Sequence, residues 1–121
     1  MDHTLKEWVQ LAGNGKIAHA ALRAQCADMS MDEADVRAVM SEHWRHMQEA
    51  IQTGLDPKMK SVSGLTGGQA ALLMARAASG KGLCGSFLSK AEAYALATAE
   101  NNSCMGKIVA APTAGACGIL P

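Results

Sequence analysis

Aromatic residues are nearly missing from this chain: Trp8, Trp44, Phe87 and Tyr94 are the whole set among 121 residues. A core without rings has to be filled by Ala, Leu, Met, Val and Ile, which suits closely packed helices better than a sandwich of sheets. Net charge is missing too, because eleven Lys and Arg offset eleven Asp and Glu. A neutral chain offers no electrostatic footprint for nucleic acid or for an anionic membrane surface. No run approaches the roughly 18 consecutive apolar residues of a membrane span. The opening "MDHTLKEWVQ" has neither the basic nor the apolar segment of a secretory leader, which points to the cytoplasm. Cys26, Cys84, Cys104 and Cys117 follow no small disulfide framework, and reduced thiols fit that compartment. The length allows one domain with a single modest core.

What is present is helix punctuation. Thr4-Leu-Lys-Glu7 is a capping box, and Leu5, Trp8, Val9 and Ala12 share a face before Gly13 stops the turn. Asn14 can cap a second helix carrying Ile17, Ala21 and Leu22. Ser30-Met-Asp-Glu33 reads as another capping box, opening a long helix that ends at Gly54. Its positions Val36, Met40, His43, Met47 and Ile51 advance by four, three, four and four, a single helical stripe. Beyond "LDPKMK", a turn set by Pro57, glycine becomes frequent. "SVSGLTGGQAALLMARAASG" reads as a glycine loop feeding a helix from Gln69 to Ala78, stopped at Gly80. Ser89-Lys-Ala-Glu92 is a third capping box ahead of "AEAYALATAENN". "MGKIVAAPTAGACG" reads as extended chain leading to another helix start. These features predict an all-α fold, a helical domain with glycine-rich loops at helix N-termini. Residues 1–60 form a helical leader and 61–121 the start of a core with two glycine-rich loops.

Those two loops share a construction. "SVSGLTGGQ" and "PTAGACG" each set hydroxyls and glycines immediately before helix, leaving backbone N–H groups at the positive end of a dipole. Such a cradle suits a carboxylate or phosphate, and Ser61, Ser63, Thr66 and Thr113 add hydroxyl partners for an anion or an amine. Ordinary capping and close helix packing account for either loop alone, so both readings stay open. Neither loop matches a nucleotide phosphate-binding pattern. His43 and His46 have a spacing that could bind metal, but no third ligand has a matching position, so packing or solvent exposure is favoured. Cys84, Cys104 and Cys117 could hold an iron–sulfur cluster, yet their intervals match no local cluster signature, and packing is favoured.

"SVSGLTGGQA" followed by "AENNSCMGKIVAAPTAGACGILP" resembles the α domain of iron–sulfur-dependent L-serine dehydratases, and the resemblance covers essentially the whole chain. It implies a lyase that converts L-serine to pyruvate and ammonia without pyridoxal phosphate, by elimination to aminoacrylate. It also implies a [4Fe–4S] cluster whose open iron eases departure of the serine hydroxyl as a Lewis acid. The substrate-binding residues it implies are Ser63, Thr66, Gly67 and Gly68 from the first loop and Thr113, Ala114 and Gly115 from the second. Where that family commonly reads Thr-Gly-Gly-Asp, this chain has Gln69, which keeps hydrogen-bonding capacity and loses a negative charge. The family's α domain is far longer, so the cluster ligands are expected downstream of Pro121. None of the four cysteines here is then a metal ligand. A β subunit or β domain and the rest of the α domain are implied partners, and a homo-oligomer is allowed. The catalytic base is not identified, and the chain alone is expected to be inactive.

Two other readings remain open. A cysteine-desulfurating lyase on the same domain would share both motifs, because they report an amino-acid carboxylate better than its leaving group. A non-catalytic helical module that binds an anion or amino acid would also use them.

Overall fold

In the computed structural model, residues 4–82 and 85–121 are described; Cys84, one of the three cysteines weighed above as a cluster set, lies outside them. The first helix starts where its capping box says. Thr4 Oγ1 accepts from the Glu7 amide at 3.3 Å and the Glu7 carboxylate accepts from the Thr4 amide at 2.6 Å, opening α1 (Leu5–Ala12). After Gly13 the chain turns into α2 (Ile17–Met29), which begins at Lys16 without a side-chain cap rather than at Asn14. The third helix, α3 (Glu33–Gly54), is the longest. Ser30 does not cap it; that residue takes a left-handed conformation and ends α2. Asp32 takes the capping role, its Oδ1 accepting from the Asp35 amide at 2.8 Å. Asp and Ser are near-equal N-caps, so the local pattern could not choose between two candidates two residues apart.

The chain divides into two compact units, Met1–Glu42 and His43–Pro121. In the first, α1 packs on α2 and the buried side chains are Ala20 and Val36. Leu5 and Val9 of the α1 stripe stay exposed. The α3 stripe is likewise buried only at its ends: Val36, Met47 and Ile51 are covered, whereas Met40 and His43 are exposed.

The second unit is built from the end of α3, α4 (Gln69–Ala78) and α5 (Gly85–Ser103). The α4 boundaries match the sequence reading. The α5 helix starts four residues before the third capping box, and Ser89 is buried inside it. Ile51, Ala70 and Ala97 form the centre of the core, with Leu55, Tyr94 and Leu96 packed around them. Burying Ile51 contributes about 2 kcal/mol, but most of this core is alanine, and closeness replaces bulk. Gly54 shows how close: a Cβ on it would run into the carbonyl of Ala97 on α5. Beyond α5 the chain reverses at Met105, continues without regular structure through residues 107–110, and reaches a one-turn 3-10 segment at Ala114–Ala116. The Ala111–Pro112 peptide bond is cis. Among the described residues there is no strand, so the fold is all-α as the composition implies.

Candidate substrate-binding loops

The first loop leaves "LDPKMK" through a turn in which Asp56 Oδ1 accepts from the Lys58 amide at 2.8 Å. It then folds back on itself. The Ser61 amide donates to the Thr66 carbonyl at 2.8 Å, and Ser61 Oγ accepts from the Thr66 amide at 3.2 Å. Ser63 Oγ lies 3.1 Å from Ser61 Oγ, so the serine pair forms one hydroxyl cluster. Gly67 has a positive φ of 132°, and a Cβ there would strike the backbone of Met59 and Lys60. Only glycine permits that return of the loop on its own entry.

The loop delivers α4 with its first amides pointing at α5, and those amides are already occupied. Glu100, near the end of α5, accepts from the Gln69 amide at 2.9 Å and from the Ala70 amide at 3.3 Å. Glu100 is only 3% exposed. The cradle anticipated at this helix start is therefore filled by the protein's own carboxyl group, and any ligand must use donors earlier in the loop. The next residues of α5 continue the grip. Ser103 has one hydroxyl proton and directs it at the Glu100 carbonyl, 2.8 Å away. The 3.3 Å contact between Thr66 and Ser103 therefore runs from the Thr66 hydroxyl to Ser103 Oγ.

The same turn of α5 holds the approach to the second loop. Asn101, buried, donates from Nδ2 to the Lys107 carbonyl at 2.9 Å, and its own carbonyl accepts from the Gly106 amide at 2.8 Å. Lys107 Nζ also meets His46 Nε2, while His46 Nδ1 lies 3.0 Å from Glu49. His46 on α3 is thus a partner of the segment that leaves α5. Further on, Ala99 and Asn102 of α5 border an open cavity of about 350 Å³ with Ala114, Gly115, Cys117 and Gly118.

Of the seven sequence-selected site residues, Gly67 and Gly68 serve the loop's return, and Ser63 and Thr66 present hydroxyls on its surface. Ala114 and Gly115 line the cavity, and Thr113 is exposed at the start of the 3-10 turn. That turn is too short to carry a helix dipole of consequence. Glu100, Asn101, Asn102 and Ser103 were not singled out by the sequence. One signal was available: Glu100 falls on the same helical face as Ala93 and Ala97, where a charge is out of place without a partner.

A family model described as "Serine dehydratase alpha chain" matches residues 12–121. The chain belongs to the serine dehydratase alpha chain family. Among relatives, "Probable L-serine dehydratase, alpha chain" of Bacillus subtilis (strain 168) is 42% identical over 87 residues, 72% of this chain and 29% of that protein. "L-serine dehydratase, alpha chain" of Peptoniphilus asaccharolyticus is 63% identical over 43 residues, 36% of this chain and 15% of that protein. The chain thus spans less than a third of the length of either relative. No solved structure gives a significant match to it. Among the described residues of this alpha-chain member, no three His, Cys, Asp or Glu side chains gather to hold a metal ion. No helix among them is long and apolar enough to cross a membrane.

Proposed function

We propose that this chain supplies the substrate-holding loops of a cytoplasmic L-serine dehydratase, an L-serine ammonia-lyase that forms pyruvate and ammonia. The observation that carries the reading is that each loop meets a residue of the same turn of α5. Thr66 touches Ser103 at 3.3 Å, and Asn102 shares a cavity with Ala114 and Gly115. Two sequence-distant loops gathered on one rigid element can hold a small amino acid by its two charged ends and fix its orientation.

Ser63, Gly67, Gly68, Thr113, Ala114 and Gly115 offer hydroxyl and amide donors to the carboxylate. Thr66, whose proton goes to Ser103, is suited instead to accept from the substrate ammonium. A [4Fe–4S] cluster would supply Lewis-acid help to the departing hydroxide in the complete enzyme, without pyridoxal phosphate. Among the described residues no three His, Cys, Asp or Glu side chains gather to hold such a cluster. In this reading the chain's own part is to bind and orient L-serine, with cluster ligands from the remainder of the α domain and a β subunit or domain as partner.

The test is pyruvate release from L-serine by the complete enzyme, compared with release from L-cysteine. Turnover of serine supports the reading, and selective turnover of cysteine contradicts it. The 121-residue chain alone, reconstituted anaerobically with iron and sulfide, is expected to give neither a stoichiometric cluster nor pyruvate.

A further inference from the structure

We infer that Glu100 is a positioning residue for substrate binding: it holds the first loop in register by occupying the first amides of α4. This rests on the proposed role of that loop in binding L-serine.

A carboxyl group at 3% exposure needs partners, and Glu100 finds them in Gln69 and Ala70, 31 and 30 residues away in sequence. Both oxygens accept from backbone N–H groups, so each pins one of the two residues that directly follow Gly67-Gly68. A helix start otherwise carries unpaired amides that water or a mobile ligand would satisfy. With Glu100 in place they are satisfied internally, and the loop's last turn has one fixed position relative to α5. The backbone of Glu100 reaches the same loop by a second route, through Ser103 Oγ to the Thr66 hydroxyl. Side chain and carbonyl of one residue therefore hold both the end and the middle of the segment.

There is a consequence for recognition. The α4 amides are closed to the substrate carboxylate, and Glu100 places its own carboxyl group where a substrate anion would otherwise sit. The anion is directed to the earlier loop donors or to the second loop. Glu100 touches no substrate in this arrangement; it acts through the loop.

Glu100→Gln tests this with little change in volume, because the amide keeps one acceptor and sets an N–H donor against the other backbone amide. Glu100→Asp keeps both acceptors on a shorter arm and should recover part of the loss. In the complete enzyme, hydrogen exchange across residues 61–72 without substrate should accelerate by about tenfold or more in Glu100→Gln, with α5 unchanged. The KM for L-serine should rise by about tenfold while kcat holds within roughly threefold. Unchanged exchange in the loop would overturn the anchoring. Faster exchange with an unaltered KM, or with kcat lost and KM kept, would overturn the link to substrate binding. Absence of serine turnover in the wild type would instead sink the proposed function, and the exchange measurement would still decide the anchoring.

Discussion

Glu100 accepts a 2.9 Å hydrogen bond from the amide of Gln69, across 31 residues of sequence, and so closes the helix start that looks most open from sequence. Glycines and hydroxyls ahead of Gln69 mark a place where backbone donors gather. They do not say who uses the donors. Here a buried side chain does.

Removing that side chain should be costly. Glu100→Ala leaves two amides of α4 without acceptors inside the unit, and each buried unsatisfied donor costs about 1–3 kcal/mol. Urea unfolding should show Glu100→Ala destabilised by about 2–4 kcal/mol. A loss below about 0.5 kcal/mol would mean that water reaches the amides and the carboxyl group matters little.

Close packing makes a second prediction. Gly54→Ala puts a methyl group into the carbonyl of Ala97, backbone against backbone, where no side chain can rotate away. Overpacking of this kind typically costs about 1–3 kcal/mol, although alanine favours helix by about 1 kcal/mol over glycine. The variant should therefore melt below wild type despite its better helix propensity. A higher melting temperature would contradict the contact between α3 and α5.

Much of this architecture is legible in local sequence, and the exceptions have local reasons. Thr4 with Glu7 and the α4 limits at Gln69 and Ala78 are right because each is set by neighbours within a turn or two. Ser30 misleads because a serine three residues before a glutamate resembles a cap wherever it falls, while Asp32 is an equally good cap nearer the helix. Ser89 misleads for a tertiary reason: it is buried at 3%, and its hydroxyl lies where a Cβ on Gly82 would stand. The loops themselves could be read from their glycines. The partner of Glu100 could not, because its place on the Ala93 and Ala97 face marks a charge in need of a partner without saying that the partner is the start of α4.

Thr66 offers a third prediction, directed at chemistry. Its methyl and hydroxyl groups separate cleanly by substitution. Thr66→Ser keeps the hydroxyl that donates to Ser103 and should leave the KM for L-serine within about threefold. Thr66→Val keeps the shape and loses the hydroxyl, and should raise KM by about tenfold or more. Equal effects from both variants would assign the residue to packing.

A fourth prediction concerns pH. The Glu49 carboxyl group is held below the ordinary carboxylate range, first by its hydrogen bond with His46; desolvation opposes this, and Arg45 adds to the lowering by charge and hydrogen bond. A depressed folded value contributes stability that is present above the unfolded value of about 4.3 and lost as pH falls through the folded one. Glu49→Gln should therefore be slightly less stable than wild type from neutral pH down to about pH 5, and the gap should close in more acidic urea titrations. The gap is small because Glu49 is exposed to solvent and screened. No stability difference between Glu49→Gln and wild type at neutral pH would contradict the pairing with His46.

The most direct measurement of the central claim is a substrate footprint. Hydrogen exchange in the complete enzyme, with and without saturating L-serine, reads which backbone segments the amino acid orders. Slowed exchange is predicted at residues 61–68 and 113–116 together, with Gln69 and Ala70 protected in both states by Glu100. Protection confined to other segments, with both loops unaffected by L-serine, would contradict it.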